Sequence, residues 1–596
     1  MLYRKDIQIL RGVAVLLVVL FHLQIGGIES GFLGVDIFFV ISGFLMAILY
    51  NPDEKSRFFI RRAKRLFPTY YTVTLLTLLI SLFYTIPNEY NQVAKQSIYA
   101  TFFSSNIGFW MQNSYFSKAD FNPLLHLWSL GVEMQFYLIV PILYWLFKKS
   151  KISLPLILLL SLLICFYFIG ISPKTSFFMM PTRLWEFLLG YGVATYFTNS
   201  GNIKNSSFHW VGAIAMVILV AIPSFGIDGE SFQIIDGHPG LFALLVSLMT
   251  AVVLLFGIPI VVEKSKVGTS LAILGKYSYS IYLVHFPIIV LFLYTPFSGT
   301  ILKTNSSLQT ILLIVIITIS SILIYHLIEN PTRHSKKFGR YIGVTVSLIV
   351  IIILLGSKID DFKYSDAENK IFNAYRDRDS FRCGKLIRII HPSAISCNLT
   401  TEINEPVKKI FLVGNSHADS IKSTFVSIAK EFNVGVYFAT INKAMIGRIS
   451  PEDIIKESLS LKIDTIVLHY SPNSIKIGTI KKLVKLATKN SIKVSLIMPV
   501  PVWKTNIPKA MYKHLEYNKT LPSQTQDEYI KANKAFYKGL KKIKNISIYR
   551  VDNILCHPYC KFQDSGAPYY FDNGHLTITG SKSLTEVFKA LINNTI

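Results

Sequence analysis

The chain has 596 residues, 51% of them hydrophobic and 16% charged, with 61 Lys and Arg against 35 Asp and Glu for a formal net charge of +26. A mean hydropathy of +0.43 excludes a disordered chain, which needs few apolar residues. The apolar residues arrive in long runs, which argues against a single soluble globule. A basic balance ordinarily raises nucleic-acid binding. Here the placement of charge points to a bilayer, and no nucleic-acid partner is expected.

Taken in chain order, apolar runs long enough to cross a bilayer predict spans at 7–24, 31–50, 68–86, 127–147, 152–170, 180–198, 209–224, 240–261, 271–295, 308–328 and 341–356. The first run has basic residues before it, like a signal peptide, but lacks a small-x-small cleavage site and reads as a retained helix. A twelfth candidate, 96–112, holds Ser104, Ser105, Asn106 and Gly108 and is weaker. Charge decides between eleven and twelve. With eleven spans and a cytoplasmic N-terminus, the short inner loops 51–67, 148–151, 199–208, 262–268 and 329–340 carry sixteen Lys and Arg, the outer loops four. The positive-inside rule therefore favours eleven spans and an extracytoplasmic tail, and much of the basic excess reads as a topology signal.

Charged groups inside spans are costly and tend to line a cavity or a substrate path. Arg11 and His22 lie eleven residues apart, on nearly one helix face and roughly 16 Å apart along the axis. Imidazole is the side chain suited to moving a proton near neutral pH; the bland alternative is a histidine bonded to a neighbouring helix. Asp36, at the start of the second span, is placed to orient an imidazole. Glu133 stands beside His126, Arg183 and Glu186 are three apart on one helix, and His285 lies in the ninth span. Together they describe the polar interior of a transporter or a membrane-embedded enzyme. The stretch RFFIRRAKRLF at 57–67 places five cations where a cytoplasmic polyanion such as a CoA phosphate can dock, or simply marks the strongest inner loop.

After residue 357 the runs shorten to strand length and alternate with amphipathic stretches, predicting a separate α/β domain with a parallel sheet. KKIFLVGNSHADS reads as strand, tight turn and helix, which sets Ser416 as a nucleophile candidate beside helix N–H groups able to hold an oxyanion. Near the end, YYFDNGHLTITGS carries Asp572 and His575, which with Ser416 would complete a nucleophile, base and orienter set. The bland reading is a phosphate-like turn plus a surface DxxH. Four of the five cysteines, Cys383, Cys397, Cys556 and Cys560, follow the last span and suggest disulfides. Sequence order favours 383–397 and 556–560, though three pairings are open and CxxxC is also a metal spacing. Cys165 lies in a span and reads as a small apolar residue. No metal is indicated.

Both halves carry familiar motifs. Arg11-x10-His22, GVDIFFVISGFL around Asp36, Arg62-Ala-Lys-Arg65, HLWSLGVEMQFY around Glu133, PTRLWEFLLG around Arg183 and Glu186, and SYSIYLVHFP with His285 resemble the acyltransferase-3 family of membrane acyltransferases. VGNSHADS and DNGH resemble the SGNH hydrolase fold, and the fusion is similar to bacterial O-acyltransferases that acetylate surface polysaccharides. The resemblance divides the chain into 1–335, an acyltransferase-3 domain of about ten helices; 336–357, the eleventh helix; 358–405, a linker or extension; and 406–596, an SGNH-like domain.

The resemblance implies His22 as the membrane catalytic histidine with Arg11 as its motif partner, and Arg62 and Arg65 as donor-binding residues for cytoplasmic acetyl-CoA. It implies Ser416, Asp572 and His575 as the second triad. The usual Gly-Asp-Ser block is Gly414-Asn415-Ser416 here, and the oxyanion blocks match poorly, with Gly447 and Asn473 in the corresponding stretches. The expected protein is a multi-pass enzyme of the bacterial cytoplasmic membrane with a periplasmic C-terminal domain and no tightly bound cofactor. Its expected acceptor is a lipid-linked or mature envelope glycan, lipopolysaccharide O-antigen or core first and peptidoglycan second. A transporter or flippase with a degenerate binding domain and a deacetylase are the other readings; the intact Ser416 set argues against the first and the Arg11–His22 half against the second.

Overall fold

The computed structural model describes residues 4–112, 120–199, 208–229, 231–378, 390–391, 393–441, 443–447 and 449–596. The chain divides into two compact units, Met1–Ile359 and Asp360–Ile596.

The first unit is helical. Among the described residues, eight helices are long and apolar enough to cross a membrane, with two shorter apolar helices at His209–Ser224 and Leu241–Phe256. Burial sorts them into an interior and a rim. Lys5–Leu23, Gly31–Leu49 and Lys266–Phe292 bury about two thirds or more of their spanning windows, at 67%, 72% and 67%. Ser153–Ile171, Ser307–His334 and Phe338–Gly356 bury only 17%, 22% and 11%, so their Leu and Ile side chains form a surface that only lipid satisfies. This is a multi-pass membrane domain.

Two close crossings set the interior. A Cβ at Gly12 would meet the Leu271 carbonyl oxygen at 2.0 Å, and one at Gly275 the Gln8 carbonyl oxygen at 1.8 Å. Helices Lys5–Leu23 and Lys266–Phe292 therefore touch backbone to backbone, which brings His22 opposite His285. The second crossing joins Gly34–Leu49 to Met180–Asn199, where Cβ atoms at Gly43 and Gly190 would meet the carbonyl oxygens of Phe187 and Val40 at 1.8 and 1.9 Å. It brings Asp36 to Arg183.

One expectation needs correction. The cations of 57–67 are not in a loop: Lys55–Tyr84 is one continuous helix running through Pro68, because Arg, Lys, Leu and Phe carry no helix-breaking signal before the proline. The stretch 96–112, the weaker candidate left out of the eleven spans, breaks into Pro87–Thr101 and Ser105–Met111, with Phe103 at φ +50° between them.

The second unit is an α/β domain around a six-stranded sheet. Its strands are β1 (Ser396–Asn398), β2 (Lys408–Gly414), β3 (Val434–Ala439), β4 (Thr465–His469), β5 (Lys493–Ile497) and β6 (Ser547–Tyr549), in the order β1-β3-β2-β4-β5-β6. Strands β2 to β6 are parallel as expected, but β1 pairs antiparallel with β3, so the sheet is mixed. β1 comes from the stretch read as linker. So does the helix Asp366–Asn373, held by a Ser365–Glu368 capping box and by burial of Ile371 and Phe372. The segment 358–405 is thus partly built into the domain.

Cys556 and Cys560 form a disulfide, Cys397 is also disulfide-bonded, and Cys165 is free and buried. Cys383 lies outside the described residues. The charge reading also shifts: residues 360–596 hold 35 Lys and Arg against 21 Asp and Glu, so more than half of the +26 net charge belongs to this domain rather than to membrane topology.

The crossings make a direct prediction. Gly43→Leu is expected to drive the two helices apart and lower the melting temperature of the detergent-solubilised protein by several degrees. Gly343→Leu, whose position has open space, should leave it unchanged. Differential scanning fluorimetry on both variants checks this.

Candidate active sites

In the α/β domain the site forms where β2 ends. A Cβ at Gly414 would meet the His469 carbonyl oxygen at 1.9 Å, so only glycine allows β2 to turn this close to β4. Asn415 then caps the helix Ser416–Glu431. Its Oδ1 accepts from the backbone N–H of His417 at 3.1 Å and of Ser471 at 3.2 Å. Its Nδ2 donates to Ser471 Oγ at 2.7 Å and Ser474 Oγ at 3.3 Å. The side chain at the position that differs from Gly-Asp-Ser therefore fastens the nucleophile turn to the loop after β4.

Ser416 is the first residue of that helix and is exposed. Its Oγ lies 2.7 Å from His575 Nε2, and His575 Nδ1 lies 2.6 Å from Asp572 Oδ2. Asp572 Oδ1 accepts from the N–H groups of Gly574 and His575, both at 2.8 Å. Burial pushes the Asp572 carboxyl up, but its hydrogen bonds from His575 and Gly574 outweigh that and hold it below its ordinary value. The turn itself is fixed by Trp503 N–H to the Asn573 carbonyl at 2.7 Å and Ile507 N–H to the Asp572 carbonyl at 3.0 Å. Three residues that sequence reading assembled only by motif thus stand in hydrogen-bonded series.

The oxyanion candidates fare differently. The Gly447 N–H donates to the Lys443 carbonyl at 2.9 Å and is not a free donor, which corrects its expected role. Asn473 is exposed at φ +59° in the 471–474 turn that Asn415 holds.

Sequence reading passed over His417 and His469. The His417 ring lies 4.6 Å from that of His575 and 6.3 Å from that of His469. Burial, then the neighbouring His575 and His469, push His417 down to about 2; burial pushes His469 down to about 4. The only sequence signal for His417 is its place directly after the nucleophile.

In the membrane domain the predicted residues separate into two groups. Arg183 is fully buried, 3.0 Å from Asp36 and 2.7 Å from Glu186, with its guanidinium 5.4 to 5.7 Å from the rings of Phe39, Trp128 and Phe177. His238 joins it, 3.2 Å from Arg183 Nη2 and 3.6 Å from Asp36. Asp36 therefore faces the imidazole of His238 and the guanidinium of Arg183. His238 was missed because hydropathy assigns it to an outer loop.

The second group surrounds His22. Its Nδ1 lies 3.2 Å from His285 Nε2, and His285 Nδ1 lies 2.7 Å from the Tyr282 carbonyl. The His126 ring centres 5.6 Å from that of His285. Tyr282 connects this cluster to a cavity of about 680 Å³, counting its open mouth, lined by Arg11, Arg62, Arg65, Ser129, Glu133 and Tyr282. Glu133 accepts hydrogen bonds there from Ser42 and Tyr137. Arg11 and Arg65 also line a second, open depression with Arg61, Lys64, Lys276, Tyr325 and Arg333. Six cations in one concave surface suit the phosphates of a nucleotide-bearing ligand, and the two shared arginines lead inward from it.

Comparison with known families gives this arrangement its place. Residues 4–326 match the acyltransferase domain of the acyltransferase-3 family, and residues 388–590 match the SGNH domain found fused to such domains. The chain belongs to the acyltransferase-3 family of membrane proteins, in its SGNH-fused form. It is 32% identical over 407 residues to the O-acetyltransferase OatA of Staphylococcus aureus, covering 62% of this chain and 66% of that one. It is 31% identical over 342 residues to a protein of Komagataeibacter xylinus named as a membrane-bound transacylase, BcsY, covering 55% and 82%. The chain thus spans just under two thirds of the length of the O-acetyltransferase relatives.

Two outcomes follow from the α/β site. Asn415→Ala removes the cap on His417 N–H and the ties to Ser471 and Ser474, and is expected to lower the melting temperature and slow Ser416 labelling by a fluorophosphonate. Because His417 and His469 are neutral in the folded domain but bind protons near the ordinary 6.5 when unfolded, stability is fully present above about pH 6.5 and falls as pH drops below it. Thermal unfolding at about pH 7.5 and about pH 5 should show that loss, and His417→Phe should reduce it.

Proposed function

We propose that the protein is a membrane O-acetyltransferase that moves an acetyl group from cytoplasmic acetyl-CoA to a sugar hydroxyl of a cell-envelope polysaccharide. The observation that carries the reading is the Ser416–His575–Asp572 series, at 2.7 and 2.6 Å, in the same chain as an acyltransferase-3 domain. The relatives named O-acetyltransferase support it.

In this reading the six-cation depression holds the donor phosphates, and the adjoining cavity takes the thioester inward past Arg11 and Arg65 toward His22. His22, backed by His285, serves as the base of the membrane domain. There a carrier hydroxyl gives its proton to His22 and attacks the thioester carbonyl; the C–S bond breaks and CoA leaves as its thiol with that proton, the acetyl now an ester of the carrier. In the α/β domain, on the outer side of the cytoplasmic membrane, Ser416 Oγ attacks the acetyl carbonyl while His575 Nε2 takes its proton and returns it to the carrier oxygen, whose bond to the acetyl breaks. Asp572 holds the ring and stabilises the imidazolium. A sugar hydroxyl then attacks the acetyl-serine, giving its proton to His575, and the serine leaves with that proton restored. Water must be kept from the ester for transfer to outrun hydrolysis. The acceptor is lipopolysaccharide O-antigen or core, with peptidoglycan as the alternative outcome of the test.

That test is O-acetyl analysis of purified envelope glycans from a deletion strain complemented with wild type, His22→Ala or Ser416→Ala. Wild type alone should restore the O-acetyl signal, and the polymer that carries it is the acceptor. Unchanged acetylation in every strain, with all proteins expressed, would favour transport instead. The donor assignment has its own test: Lys276→Ala with Arg333→Ala is expected to raise KM for acetyl-CoA about tenfold and to leave KM for acetyl-pantetheine, which lacks the nucleotide, unchanged.

A further inference from the structure

The segment 374–378, which follows the docked helix Asp366–Asn373, reaches the far end of the turn that carries His575. Three residues past that histidine, the helix Ile578–Lys582 begins, and its first N–H groups need partners. Thr577 Oγ1 accepts only the Gly580 N–H, at 2.9 Å. The other two go to Asp377: its carbonyl accepts from Ile578 N–H at 2.8 Å and its Oδ2 from Thr579 N–H at 3.0 Å. One residue of the supposed linker therefore caps the helix that anchors the base-bearing turn.

Its neighbour acts on the ring side. The Arg378 guanidinium lies 3.6 Å from the centre of the Tyr375 ring and 5.5 Å from that of Phe571. Phe571 stacks on His575, 5.4 Å away and within 16° of parallel. The order Tyr375, Arg378, Phe571, His575 is continuous contact from the segment to the imidazole. The segment is itself fixed: Ala374 and Phe372 are buried, and Lys370 donates to the Ser565 carbonyl at 3.1 Å.

The geometry points to Asp377 and Arg378 as positioning residues for His575, making the segment between the last membrane helix and the α/β domain a working part of the Ser416 site. This rests on the reading of Ser416, Asp572 and His575 as a triad. Neither residue touches the reacting atoms. Asp377 sets where the turn ends, and Arg378, through Phe571, limits how far the imidazole tilts. A misplacement of the base by a fraction of an ångström slows proton transfer without altering what binds.

The test uses the full-length protein in detergent and the rate at which a fluorophosphonate labels Ser416. Asp377→Ala is expected to lower the limiting labelling rate about tenfold with unchanged half-saturation, and Arg378→Ala about threefold. Asp377→Asn, which keeps an oxygen to accept from Thr579 N–H, should restore most of the rate. Melting curves check folding in parallel. Wild-type rates in folded Asp377→Ala and Arg378→Ala proteins would overturn the proposal and leave the triad intact. If Asp377→Ala does not fold, Arg378→Ala decides alone, and wild-type labelling there overturns it. Absence of Ser416 labelling in the wild-type protein would instead defeat the triad reading.

Discussion

A guanidinium with no access to water must be answered by the protein around it. Arg183 meets that demand with Asp36, Glu186, His238 and three aromatic faces, contributed by parts of the chain up to about two hundred residues apart. An unpaired charge at this depth costs several kcal/mol, so the helices Gly34–Leu49 and Met180–Asn199 cannot slide without exposing it. Glycines at their crossing let the backbones come close enough for the pairs to form. The other crossing, at Gly12 and Gly275, does the corresponding work for His22 and His285. The membrane domain is therefore organised by polar groups at two glycine contacts, while its rim is generic apolar surface.

That organisation gives the interior a direction. Cations collect in an open depression, and two of them, Arg11 and Arg65, also line the inner cavity. Tyr282 borders the cavity and offers its carbonyl to His285, which meets His22. A ligand held by its phosphates at one end would present its other end to a histidine cluster. The α/β domain repeats the logic with different parts: a tight turn on Gly414, an amide cap on Asn415, and an exposed serine backed by a histidine and a carboxylate.

Much of this was legible in the sequence, for identifiable reasons. Long apolar runs mark membrane helices because nothing else requires them, and strand-turn-helix with a serine at the turn is a short-range pattern. Arg183 and Glu186 were readable as partners because they share a helix face. What escaped depends on long-range folding. His238 sits in a polar stretch that folds back into the core. β1 is three residues long and has no periodicity to read. Asp377 and Arg378 lie in a stretch whose composition is that of a linker, and only the docked helix before them shows otherwise. Asp36 is legible as a carboxylate placed to orient an imidazole, but hydropathy does not reveal that the imidazole it meets is His238.

The central claim is that acetyl taken up by the membrane domain reaches Ser416. The direct measurement is to reconstitute the full-length protein in liposomes, supply radiolabelled acetyl-CoA without acceptor, and map the labelled peptide. The account predicts label on the peptide containing Ser416 in wild type, and none there in His22→Ala or Ser416→Ala. Glycan acetylation that proceeds at the wild-type rate in Ser416→Ala, with no label ever on that peptide, would contradict it.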